Sequence, residues 1–184
     1  DEAPCRQDCP VISMVPEKHI LTRELQSSQN GTAIQAALQA QTWKLRSEGE
    51  LAVPVLAVNS LLAQALKAAE KRGHLRIGLQ AAGEKLARER KGLLKMVREQ
   101  GLAVGERISR LILVSNDGTE RFYRSVEWLA KDHRSRLLVC LLDVPGLEIG
   151  NILFGEERNI KLLLIDHKDS VSLFFHTLIS ERQT

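Results

Sequence analysis

LILVSNDG (Leu111–Gly118), LLVCLLDVPG (Leu137–Gly146) and IKLLLIDHKD (Ile160–Asp169) are three short apolar runs, each closed by an acid-containing turn. A stretch with helical spacing follows each one. After the first run, Phe122, Val126 and Leu129 recur at i, i+4 and i+7. Pro145 opens a short helix carrying Leu147, Ile149 and Ile152 after the second, and Val171, Phe174, Phe175 and Leu178 line a last helix. Strands alternating with helices predict parallel strands joined by crossovers. Apolar runs without alternation predict burial on both faces. The expectation is an α/β domain of two or three layers with a mainly parallel sheet, preceded by an N-terminal helical region.

Working outward, residues 1–15 read as a flexible arm, 16–104 as a helical region and 105–184 as a βαβαβα domain, or as one continuous domain with 16–104. Pro16 suits the first turn of a helix. Thr32 can cap a second helix over 33–47 that includes Trp43 in its packed layer. LAVPVLAV (Leu51–Val58) contains Pro54, which fits an edge strand or a linker. A long basic helix or helix pair is expected over 75–100, with Gly78, Gly83 and Gly92 each weakening it.

The chain has 184 residues, 43% apolar and 27% charged, which is globular composition. Its net charge of +3 is unevenly spread. Residues 61–100 hold ten Lys/Arg against four Asp/Glu. Arg88, Lys91, Lys95 and Arg98 recur at three and four, so a helix puts them on one face. Such a face suits phosphates or an acidic protein. Three cysteines, one of them Cys140 inside an apolar run, argue against a disulfide framework. No charged-then-apolar leader opens the sequence, and no run nears the ~20 apolar residues of a membrane span. A cytoplasmic protein with no membrane partner is the expectation.

If the three runs are parallel strands, their acidic turns share one edge of the sheet, where ligands bind in such folds. Asp117, Asp143 and Asp166 would then be candidates for a divalent metal site and for catalysis on a phosphate ester. His167 joins them as a candidate acid or base. Ser115, Asn116, Gly118, Thr119 and Lys168 are candidate ligand contacts, Lys168 beside a helix start that favours anions. Each acid also has a simpler role: Asp117 in a turn, Asp169 as a helix cap, Asp143 in loop order. No dinucleotide fingerprint, P-loop or nucleophile elbow is present, and no cofactor is evident beyond a candidate divalent metal.

The strand ending at Asp117, the helix, the second strand, the short helix with Leu147, Gly150 and Gly155, and the third strand together resemble the kink-turn-binding ribosomal protein superfamily over residues 108–180. That resemblance implies a small α/β/α RNA-binding domain. The family's Gly-rich, Asn- and Glu-bearing RNA-contact turn is not recognisable here, and Val144-Pro145 follows the second strand instead of opening it. No contact residue is carried over. The leading expectation is a module binding RNA or another anionic partner through the basic helical face, with Arg88, Lys91, Lys95 and Arg98 as contacts, and through the strand-end loops. The alternatives are a metal-dependent phosphate-ester hydrolase and a structural or homo-oligomerising protein. On balance the residues lean away from an enzyme.

Overall fold

In the computed structural model, residues 21, 23–27, 30–101, 103 and 105–180 are described. The expected arm over 1–15 and the helix opening at Pro16 lie outside them. Two helices come first, α1 (Arg23–Ser27) and α2 (Asn30–Ala40). They are followed by β1 (Thr42–Lys44), β2 (Ala52–Leu56), α3 (Ser60–Lys71), β3 (Leu75–Ile77) and α4 (Leu79–Gln100). The remainder is β4 (Arg110–Ser115), α5 (Glu120–His133), β5 (Leu137–Leu142), α6 (Gly146–Phe154), β6 (Leu162–Ile165) and α7 (Lys168–Ser180).

The strands form one sheet in the order β1-β2-β5-β4-β6-β3. β2, β5 and β4 are parallel, while β6 runs against β4 and β3, and β1 against β2. Four strands therefore point one way and two the other: a mixed, open α/β sheet. Alternate residues of the central strands go to opposite faces. Leu111, Leu113, Leu138, Cys140, Leu142, Leu163 and Ile165 pack with Leu25, Ile34, Leu38, Leu62, Leu66, Ile149, Phe174 and Phe175. Ile112, Val114, Leu137, Val139, Leu141, Leu162 and Leu164 pack with Ala82 and Leu86 of α4 and Tyr123, Val126 and Ala130 of α5. The sheet is covered on both sides, so the domain has three layers, and the uninterrupted apolar runs are explained by double burial.

Three sequence expectations are corrected. The first is the direction of β6. Val114 stands opposite Leu162 and Leu111 opposite Ile165, so β6 ends where β4 begins. The cause lies in the return of the chain after α6. Gly155 stops that helix in a left-handed turn, φ 67°. The segment 156–160 then runs back along α6, and the Ile160 amide donates to the Gly146 carbonyl at 2.9 Å. The contact is close: a Cβ on Gly150 would fall 1.8 Å from the Arg158 carbonyl oxygen. The chain thus re-enters the sheet at the carboxyl end of β4, where the Ser115 amide donates to the Lys161 carbonyl.

The second correction concerns Trp43. α2 stops at Ala40, and Thr42–Lys44 pairs with Ala52–Pro54 as a hairpin edge. Trp43 is on that edge, 61% exposed, and not in a packed helical layer. The third is the start of the basic helix. Leu75–Ile77 is strand, Gly78 turns the chain at φ 92°, and α4 begins at Leu79. From there α4 continues unbroken through Gly83 and Gly92 for 22 residues.

Candidate functional site

The carboxyl ends of β4 and β5 lie side by side, and their loops are tied together by polar contacts. Asp117 Oδ1 accepts a hydrogen bond from the Gly146 amide at 3.0 Å, and Oδ2 pairs with Lys161 Nζ. Pro145, the N-cap of α6, offers no side-chain cap. Asp117 therefore caps α6 from the neighbouring strand, where a carboxylate also meets the positive end of the helix dipole. Asn116 Nδ2 donates to Asp143 Oδ1 at 3.1 Å. The Tyr123 hydroxyl donates to the Ser115 carbonyl at 2.7 Å and accepts from the Gly118 amide at 2.9 Å. Thr119 Oγ1 accepts from the Phe122 amide and caps α5. Gly118 is needed here because a Cβ would fall 2.6 Å from the Phe122 ring.

These contacts set the charge of the loop. Burial pushes the Asp117 carboxyl up, but Lys161, the nearby Ser115 hydroxyl and the Gly146 amide outweigh it and hold it below its ordinary value. The Ser115 hydroxyl is fully buried and approaches Asp117 without closing a hydrogen bond of normal geometry. Thus Asn116, Gly118 and Thr119 serve turns and caps, and the charge of Asp117 is already paired with Lys161.

Asp166 lies at the opposite edge of the sheet, because β6 is reversed. It does not join Asp117 and Asp143. Its carboxylate, 5% exposed, pairs with Arg76 at 2.9 Å and lies 3.8 Å from Lys85. Lys85 also meets Glu89, which holds Arg110 through both oxygens. This is a structural chain of charges linking β3, α4, β4 and β6. Beside it, His167 stacks on His74 with ring centroids 4.1 Å apart, and His74 Nδ1 lies 2.8 Å from Ser170 Oγ. His167 Nδ1 accepts from the Asp169 amide at 3.3 Å, and Lys168 is exposed at the start of α7. His167 is consequently remote from Asp117 and Asp143. Among the described residues, no three His, Cys, Asp or Glu side chains gather closely enough to hold a metal ion. The expected grouping of the three aspartates is thus corrected: strand direction separates Asp166 from Asp117 and Asp143.

The basic face is the candidate that the fold leaves open. α4 buries Ala82 and Leu86 in its first half. Arg88, Lys91, Lys95 and Arg98 are all exposed on its far side. Arg88 Nε reaches the Glu84 carbonyl at 3.3 Å, and Lys95 lies 3.9 Å from Glu99. Lys91 and Arg98 have no ion-pair partner among the described residues. Between α4 and the starts of β4 and β5 lies a cleft of about 400 Å³ lined by Leu93, Met96, Val97, Arg107 and Arg136.

Sequence reading missed the outer face of α5. That helix packs on the same sheet face as α4 and is joined to it by Arg90 and Asp132 at 4.0 Å. Opposite its buried Tyr123, Val126 and Ala130 it exposes Arg121, Arg124 and Trp128. The signal was present in the sequence: a tryptophan on the polar stripe, with arginines four and seven residues before it.

No protein-family model matches the chain, and no curated protein matches it. Solved structures do match. Among them is a Giardia lamblia 15.5 kD RNA-binding protein, with a TM-score of 0.39 and 12% identity, the match covering 68% of this chain and 91% of that one. That is a distant likeness, of fold alone. No described helix is long and apolar enough to cross a membrane.

Proposed function

We propose that this chain is a binding module for RNA, engaged through the outward face of α4. One observation carries the reading: Arg88, Lys91, Lys95 and Arg98 form an exposed stripe along a single helix. Cations at three- and four-residue spacing present a row of positive charge to a phosphate backbone, and releasing counterions from that backbone drives binding. The carboxylates of Asp117 and Asp166 are taken up by internal pairs with Lys161 and Arg76. The charges of the α4 stripe are largely left to solvent.

The test is affinity for a short RNA as a function of salt. Four phosphate contacts give a slope of log K against log salt near −3 for a single strand. Replacing Arg88 and Lys91 together by glutamate should flatten that slope and weaken binding at low salt by tenfold or more, roughly the 1.4 kcal/mol that defines a decade. Absent binding at low salt, or binding indifferent to the double reversal, would sink the proposal. An acidic protein partner would instead be revealed by charge-dependent capture without RNA affinity.

A further inference from the structure

Both tryptophans of this aromatic-poor chain are on the outside, Trp43 61% and Trp128 67% exposed. The core uses phenylalanine instead, with Phe174 and Phe175 fully buried. Trp128 stands out by its surroundings. Arg124 is one turn before it and Arg121 two turns before it, on the same outward stripe of α5. Neither arginine has an ion-pair partner among the described residues. Asp132, one turn on, is engaged by Arg90. Because α4 and α5 cover the same face of the sheet, this stripe and the Arg88–Lys91 stripe look out from one side of the molecule.

We infer that the RNA taken by this surface carries unpaired bases, one of which stacks on the Trp128 indole while Arg121 and Arg124 hold the flanking phosphates. The inference rests on the RNA-binding reading and specifies the class of RNA. Its argument is the isolation of Trp128 among the polar residues of the outer face of α5. A hydrophobic protein anchor sits in a broader apolar patch. On α5 itself the neighbouring positions are Arg121, Arg124, the half-buried Ser125, Lys131 and Asp132, and the exposed apolar side chains of α4, Leu94, Met96 and Val97, belong to the second half of that helix. A single indole plane within a cationic surround matches a nucleotide, which offers one aromatic plane and a negative phosphate. In a duplex the base faces are covered by their neighbours, so only an unpaired base can reach the ring.

The experiment uses the full chain with Trp43→Phe, leaving Trp128 as the sole indole. Titration with a short oligouridine should quench its emission, and a blunt RNA duplex of equal length should not. Trp128→Ala should weaken oligouridine binding by about 5- to 150-fold, the range one stacked base supplies. It should leave duplex binding unchanged. Trp128→Phe should restore most of the affinity. Emission that is unmoved at saturation, together with equal affinity of Trp128→Ala, would overturn the stacking inference. If that result comes with binding still lost on reversing Arg88 and Lys91, the α4 reading survives it. If no RNA binds at low salt, both fail.

Discussion

The loops at the carboxyl ends of β4 and β5 and the outer surface of α4 and α5 are both rich in charge, yet they use it in opposite ways. In the loops almost every polar group is engaged internally. Asp117 caps α6, Asn116 holds Asp143, and Tyr123 pins the Ser115–Gly118 turn. On the helices, Lys91, Arg98, Arg121 and Arg124 project outward without an ion-pair partner among the described residues. Charges that are paired inside the protein stabilise a fold, whereas unpaired surface charges contribute little to stability and are free for a partner. If this distinction is sound, substitutions in the first region should change stability, and those in the second should change binding.

The largest stability effect should come from Gly150→Ala. The new methyl would collide with the Arg158 backbone, and α6 would have to move from the segment that returns to β6. Overpacking against backbone typically costs 1–3 kcal/mol, so a loss of about 3 kcal/mol is expected by urea unfolding. A loss under about 1 kcal/mol would mean that the return segment is not held against α6. The same residue shows where sequence reading stopped. The three apolar runs were legible as strands because their composition reports burial. Their direction was not, since a run of leucines reads alike in either orientation. Direction was decided by a glycine in a nine-residue helix, where close backbone approach has no hydrophobic signal. The three-residue strands β1 and β3 were invisible for a related reason, being too short to show a period.

Asp117→Ala should follow, at about 1–2 kcal/mol, mainly because the buried Gly146 amide loses a charged acceptor. The partly exposed Lys161 pair adds little. The acid limb provides an independent check. The folded-state pKa of Asp117 is lowered, so its stabilisation is complete above the unfolded value of about 3.9 and is lost as pH falls through the lower folded value. Asp117→Asn should therefore reduce the dependence of stability on pH below about 5 while keeping an oxygen for Gly146. An unchanged acid limb would show that this carboxylate is not a native-state anchor.

The candidate site was legible in part, and the limits are physical. Spacing alone put Arg88, Lys91, Lys95 and Arg98 on one face, because helical geometry is local. The grouping of Asp117, Asp143 and Asp166 required strand direction, a non-local property, and it failed there. Trp128 was passed over because reading α5 for its buried stripe leaves the opposite stripe unread. Its arginine neighbours on that stripe distinguish it from Trp43, which occupies a short edge strand.

The smallest stability effect should be that of Arg98→Gln. Arg98 lies in the last turn of α4, exposed and beyond the buried half of the helix, so its removal should alter unfolding free energy by no more than about 0.5 kcal/mol. Its favourable position at the negative end of the helix dipole sets the sign as a slight loss. RNA binding should nevertheless lose one phosphate contact, lowering the salt slope by about 0.7 for a single strand. Unfolding curves and salt titrations on the same variant separate these outcomes. A stability loss well above 1 kcal/mol with an unchanged slope would place Arg98 among the structural charges, beside Asp117 and Lys161, and would erase the contrast between the two regions.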